Sequence, residues 1–169
     1  MNRILYLIPL FAIIAFLIIF SSEIIEDSEI PSEDTELSIE ISDKTYVDVD
    51  PAGLVSVIHS LIENAEEAME LTNSNKKILI SVSCVAKQSD ELEISNKVVT
   101  ALIKVSDTGS GMSEEVRRDA FNPFYSTRSK KSGLGLYMVR NCLRMMNADI
   151  AISKSDTSGT VFAIYLPLS

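Results

Sequence analysis

The chain has 169 residues, 46% of them hydrophobic, and a formal net charge of -9. That length holds one domain with a packed core and little else, and the acidic balance excludes a broad nucleic-acid-binding surface, which needs a basic footprint. It does not exclude an anionic ligand, because the charge is uneven: from Ala120 to Ala148 there is no Asp or Glu, while Arg128, Lys130, Lys131, Arg140 and Arg144 all fall there.

Ile4 to Phe20 carries no charge and sits at the short end of a membrane span. Its apolar part exceeds a usual signal-peptide core, and Ile18–Ser22 lacks a small-x-small cleavage site. Residues 1–22 therefore read as an N-terminal hydrophobic helix that anchors the chain in a membrane. A cleaved signal peptide and a buried core helix are the alternatives. Residues 23–36 are polar and acidic, contain Pro31 and show no periodicity, as expected of a solvated linker. The folded domain is then 37–169.

Leu37–Ile41 and Thr45–Val49 alternate around Ser42-Asp43-Lys44 and predict a pair of short strands. Asp50 followed by Pro51 is a helix start. Leu54, Ile58, Leu61, Ile62, Ala65 and Met69 recur at helical spacing, predicting a helix to about Leu71. Ile78–Val85 and Val98–Val105 are β-rich and flank a polar loop, and Ser113 caps a short helix with Glu114 and Glu115 in its first turn. Gly133 to Met146 reads as a helix with Leu136, Val139, Cys142, Leu143 and Met146 inward. Asp149–Lys154 and Thr160–Leu166 read as two closing strands. Strands that come mostly in pairs predict an α+β two-layer sandwich, a mixed sheet with helices on one face. Cys84 and Cys142 lie among apolar residues without metal-ligand spacing and read as buried free thiols.

Three motifs carry chemistry. In Leu61-Ile62-Glu63-Asn64-Ala65-Glu66-Glu67-Ala68-Met69, Asn64 is a polar residue among the apolar stripe, and its amide oxygen suits a magnesium ion that keeps phosphate and water ligands. In Val105-Ser106-Asp107-Thr108-Gly109-Ser110-Gly111-Met112, directly after a strand, a carboxylate can accept a hydrogen bond from the exocyclic amine of adenine. The glycines let the backbone come close to a flat ring. In the run from Phe121-Asn122-Pro123-Phe124 through Tyr125, Ser126, Thr127, Arg128, Ser129, Lys130, Lys131 and Ser132 to Gly133-Leu134-Gly135-Leu136, glycines open a helix whose free N–H groups face an anion, and the basic residues add countercharge. Each motif alone is weak; their order and spacing together are specific.

Together they resemble the ATP-binding domain of sensor histidine kinases, within the wider group that shares the Bergerat fold, over about Leu37 to the C-terminus. Asn64 corresponds to the N box, Asp107, Gly109 and Gly111 to the G1 box, Phe121–Phe124 to the F box and Gly133–Leu136 to the G2 box, while Gly159-Thr160 resembles the start of the last conserved strand. The resemblance implies a sheet backed by three helices and binding of ATP with Mg2+. By it, Asn64 would ligand magnesium and Asp107 would hold adenine. Met112, Phe124, Ser126, Thr127 and Thr160 would border the nucleotide, with Arg128, Lys130, Lys131 and Ser132 at the phosphates and the Gly133-Leu134-Gly135-Leu136 backbone cradling them. It implies two-component signalling, in which a histidine on a dimerisation domain or another pathway protein is the phosphate acceptor. Because ATP is cytoplasmic, it also implies a cytoplasmic domain, against the weak opposite pull of Arg3 before the apolar run.

Some residues depart from the family pattern. The chain has one histidine, His59, about 140° round the helix from Asn64 at ~3.6 residues per turn, which reads as structural or partly exposed rather than a phospho-acceptor. Ser60 shares the Asn64 face where hydrolysing relatives, gyrase among them, carry a glutamate base, so strong intrinsic hydrolysis is not expected; Glu63 points about 100° away. Lys131 stands where a glycine is common, and Asn147-Ala148 replaces a frequent Gly-Gly. Arg140 and Arg144 read as solvated helix face. A non-catalytic ATP-binding regulatory module and a serine kinase of the anti-sigma type are the alternatives to a histidine kinase acting in trans.

Overall fold

The computed structural model describes residues 8–9, 34–42, 46–47, 49–70, 72, 75–87, 98–128 and 131–168. Five strands form one sheet: β1 (Thr35–Ile41), β2 (Lys76–Lys87), β3 (Val98–Asp107), β4 (Asp149–Asp156) and β5 (Gly159–Pro167), in the spatial order β1-β2-β3-β5-β4. β1 runs parallel to β2 and every other neighbouring pair is antiparallel. The described helices are α1 (Pro51–Met69), α2 (Glu114–Asp119) and α3 (Gly135–Met145).

The sheet's two faces follow from its alternation. Ile78, Ile80 and Val82 of β2 are buried toward the helices, and the register continues the row through Ile80↔Val105↔Phe162 and Val82↔Ile103↔Ile164. Onto this face α1 packs Leu54, Val57, Ile58, Leu61, Ile62, Ala65 and Met69, and α3 packs Val139 and Leu143. Among the described residues these two helices bury side chains in the second layer, while α2 buries none of its residues. Its sequence offers a single apolar side chain, Val116, too little for a buried stripe.

The helix ends are chemically set. Asp50 accepts the Gly53 N–H at 2.9 Å with Pro51 in the first turn. Ser113 Oγ accepts the Val116 N–H at 3.2 Å. α3 ends on Asn147 at φ 55, with the Ala148 N–H on the Leu143 carbonyl at 2.9 Å and the Asn147 N–H on that of Arg144 at 3.1 Å. Asparagine tolerates this left-handed turn, so Asn147-Ala148 does there what a Gly-Gly pair would.

One expectation is corrected. Leu37–Ile41 and Thr45–Val49 do not pair with each other: β1 joins β2 in parallel, and Tyr46–Val47 pairs antiparallel with Ile8–Pro9. A parallel pair needs a crossover of a dozen or more residues, and α1 supplies it. The N-terminal hydrophobic helix is also not seen where the run is described, since Ile8 and Pro9 are extended; proline, lacking an N–H, is at home at such an edge. The rest of 1–22, and the linker up to residue 33, lie outside the described residues. Among the described residues no helix is long and apolar enough to cross a membrane. Cys84 and Cys142 form no disulfide and are half-buried rather than fully so.

Candidate functional site

Asp107 ends β3 on the helix-facing side of the sheet, and only 8% of its surface is exposed. One carboxylate oxygen, Oδ1, accepts two backbone N–H groups, from Gly109 at 2.8 Å and Thr160 at 3.1 Å. The other, Oδ2, has no hydrogen-bond partner among the described residues, and the residue borders a cleft of about 510 Å³. Burial pushes the carboxyl above its ordinary value, against the pull of the two N–H donors.

The surrounding glycines are fixed by close approach. A Cβ on Gly109 would lie 2.7 Å from the Ala68 Cβ, and one on Gly159, at φ 130, would lie 1.8 Å from the Asp107 carbonyl oxygen. Gly111, at φ 69, would meet the Asp156 carbonyl at 1.9 Å. The Met112 N–H donates to Ser155 Oγ at 2.8 Å, and Ser155 shares a 2.9 Å hydrogen bond with Thr160 Oγ1. The loop after β3 is thereby tied to both α1 and the β4–β5 turn.

Across the cleft stands one face of α1. The Asn64 side-chain N–H donates to the Ser60 carbonyl at 2.7 Å, which leaves its amide oxygen as the end available to a ligand. Ser60 and Asn64 both border the cleft, as their spacing predicts. His59 does not; it faces Glu63 at 3.8 Å with its side chain 41% exposed. Glu63, predicted to point away, also reaches the cleft rim, because its long side chain covers more of the arc than its Cα position implies.

The third wall is the basic run and the start of α3. Gly133 at φ 68 brings the chain against the Phe124–Tyr125 backbone, 2.5 Å from where its Cβ would be, and α3 begins two residues later. Leu134 caps it without any side-chain hydrogen bond, so the first-turn N–H groups are uncapped by side chains. Gly133, Gly135 and Leu136 line the cleft. The nearest atom to a Cβ on Gly135 would be Ser60 Oγ at 4.0 Å: the helix start opens toward the α1 face across free space.

Most of the predicted positions converge. Asn64, Asp107, Gly111, Met112, Ser126, Thr127, Arg128, Lys131, Ser132 and Thr160 line one cleft with the three residues just named. Gly109 and Leu134 are not among its lining residues, and Lys130 lies outside the described residues. Phe124 is a correction: it is 78% exposed at φ 63 and turns to solvent. Arg140 is another: it stacks 3.8 Å over the Phe121 ring with Nε buried and unpartnered, and burial lowers its pKa. Phe121 in turn meets Phe162 edge-on at 6.4 Å.

Among the lining residues not predicted, Glu67 matters most. Glu67 accepts from both Arg128, Nη1 to Oε2 at 3.0 Å, and Lys131, Nζ to Oε1, while Arg128 Nη2 also reaches the Glu67 carbonyl. The hydrogen bond to Glu67 raises the Lys131 pKa. The cations expected at phosphates thus rest on a carboxylate. The signal was present: Glu67 is three residues after Asn64 and seven after Ser60, on the same helix face, opposite a basic stretch with no acid of its own.

Known proteins resemble this chain in sequence and in fold. Residues 49–169 match the family described as histidine kinase-, DNA gyrase B-, and HSP90-like ATPase. The sensor histidine kinase DpiB of Escherichia coli is 28% identical over 122 residues, covering 70% of this chain and 20% of its own length. Sporulation kinase C of Bacillus subtilis is 29% identical over 133 residues, covering 79% and 28%. The chain therefore spans about a fifth to a quarter of these relatives. Among solved structures, the catalytic domain of histidine kinase ThkA superposes with a TM-score of 0.67 at 22% identity, covering 94% of this chain and 92% of that one. The mycobacterial sensor histidine kinase MprB also gives 0.67, at 17% identity and 95% and 97% coverage; both show the shared fold. With the Asp107 floor, the Asn64 face and the glycine-started helix meeting in one cleft, the chain belongs to the family of histidine kinase-, DNA gyrase B- and HSP90-like ATPases.

Proposed function

We propose that this domain binds Mg-ATP and serves as the catalytic domain of a sensor histidine kinase, passing a phosphoryl group to a histidine on a partner. The observation that carries the reading is the half-committed Asp107 carboxylate. Oδ1 is spent on two backbone N–H groups, and Oδ2 is left to accept the exocyclic amine of adenine, where the oxygen of guanine would be repelled. The uncapped start of α3, at the far side of the same cleft, supplies N–H groups and a positive dipole end for phosphate. Magnesium fits this donor set: it needs only one or two protein oxygens beside phosphate and water, and Asn64 offers one. Bound there, the ion would neutralise phosphate charge.

Ser60, a poor base, stands where hydrolysing relatives carry a glutamate, and Glu67 on the same face is engaged by Arg128 and Lys131, which favours transfer over hydrolysis. His59 lies off the cleft, which supports an acceptor other than His59. The relatives whose names read sensor histidine kinase and sporulation kinase support the same class of reaction. Attachment to a membrane through residues 4–20, with the domain on the cytoplasmic side, completes the proposal; protection of the domain from external protease in right-side-out vesicles is the expected result.

The deciding experiment mixes the protein, Mg2+ and radiolabelled ATP with His-bearing dimerisation domains of two-component sensors. Acid-labile phosphate on the acceptor is expected. Nucleotide binding without transfer to any acceptor would leave a non-catalytic ATP-binding module, and acid-stable label a serine kinase. Asn64→Ala should weaken ATP binding only when magnesium is present; equal loss with and without the metal removes the metal role from Asn64.

A further inference from the structure

We propose that Glu67 is a positioning residue that competes with nucleotide phosphate for Arg128 and Lys131, so that it lowers the site's affinity most for the most highly charged ligand. The inference deepens the ATP-binding reading and rests on it. Glu67 lies on α1 one turn beyond Asn64, on the cleft-facing side. Its two oxygens are divided between the two cations, Oε2 to Arg128 at 3.0 Å and Oε1 to Lys131. Arg128 is fastened twice, because its second nitrogen donates to the Glu67 backbone carbonyl. Glu70 adds a further carboxylate oxygen 4.0 Å from Arg128.

The chemistry of this triad is that of a placeholder. A carboxylate with one charge holds two cations, and guanidinium and ammonium groups bind phosphate oxygens through the same charge-assisted geometry. The Glu67 side chain is 24% exposed and that of Arg128 34%, so this pair is screened less than a surface pair, whereas Lys131 at 58% is largely in water. A ligand with one negative charge gains little by displacing Glu67. A triphosphate, with several charges delivered between α1 and the start of α3, can take both cations and leave Glu67 to solvent. Glu67 therefore lowers affinity for every phosphate-bearing ligand, most of all for the triphosphate, and leaves a bare nucleoside unaffected.

The test compares adenosine, ADP and ATP binding to the full chain by calorimetry, in wild type, Glu67→Gln and the charge-swapped pair Glu67→Arg with Arg128→Glu. Removing one competing charged hydrogen-bond acceptor predicts roughly tenfold tighter ATP binding in Glu67→Gln, since 1.4 kcal/mol is a factor of ten. The gain should be smaller for ADP and absent for adenosine, with a steeper salt dependence for ATP. The swapped pair, which restores the contact, should return the adenosine-to-ATP ratio toward wild type. Unchanged or weaker ATP binding in Glu67→Gln, with wild type still binding ATP, overturns this proposal and leaves the nucleotide site standing. A wild-type chain that binds none of the three ligands overturns both.

Discussion

The cleft has two ends built on opposite principles. At the Asp107 end, the backbone does the holding: glycines are pressed against neighbouring carbonyls and a buried carboxylate is fixed by two N–H groups. At the Arg128–Lys131 end, long charged side chains do it, over exposed backbone and chiefly through Glu67. Backbone fixed by close packing has one geometry, whereas charged side chains exchange partners at small cost. The first end suits recognition of a rigid ring and the second suits a flexible chain of phosphates.

Substitutions that break this contrast differ in size. Gly159→Ala would drive a Cβ into the Asp107 carbonyl at a backbone angle other residues avoid; it should destabilise the domain by more than about 4 kcal/mol and abolish a cooperative melt. A melting temperature near wild type would show that the Asp107 end is softer than its contacts imply. Asp107→Asn keeps an oxygen for the Gly109 and Thr160 N–H groups and replaces the outward oxygen by a donor. It should preserve the fold yet cost roughly 1.5–3 kcal/mol of ATP affinity, read by calorimetry; unchanged affinity removes Asp107 from adenine recognition. Gly135→Ala sharpens the contrast from the other end. Its new methyl meets open space, and alanine favours the helix by up to about 1 kcal/mol, so the melt should hold or rise while triphosphate affinity falls.

The smallest effect is a pH dependence. Burial raises the native Asp107 carboxyl above the 3.8 of an ordinary aspartate, so the native state holds this proton more tightly than the unfolded chain. The contribution to stability is therefore full below 3.8 and lost as pH rises through the native value. The difference in melting temperature between wild type and Asp107→Asn, followed across that window, should shift against wild type as pH rises. A difference independent of pH would mean that the N–H donors just balance burial, and a shift in favour of wild type that they outweigh it.

Much of this was legible in the residues. The α1 stripe, the Asp50 and Ser113 caps and the alternation of β2 each express a local rule, and the structure places each close to where the rule does. The motif positions at Asn64, Asp107 and Gly133–Leu136 carried the site because their backbone demands are local as well. Long-range partnership was not legible. Nothing in Leu37–Ile41 says that its neighbour is Ile78–Val82 rather than the strand that follows it, since alternation fixes a face and not a partner. The same holds for Glu67, whose role exists only once α1 lies beside Arg128 and Lys131, and for Arg140, whose flat guanidinium finds Phe121 through tertiary packing.

The parallel pairing of β1 with β2 has a thermodynamic consequence. The helix carrying Ser60, Asn64 and Glu67 is the span between these two strands, so the alignment that partly buries Leu37 and Ile39 also sets which residues of that helix meet a ligand. A slip by one residue would turn those strand side chains outward and shift the helix with them. Ligand capture and correct strand alignment are therefore linked equilibria, and a tightly held nucleotide raises the melting point by mass action, pinning an edge strand that lends no residue to the cleft.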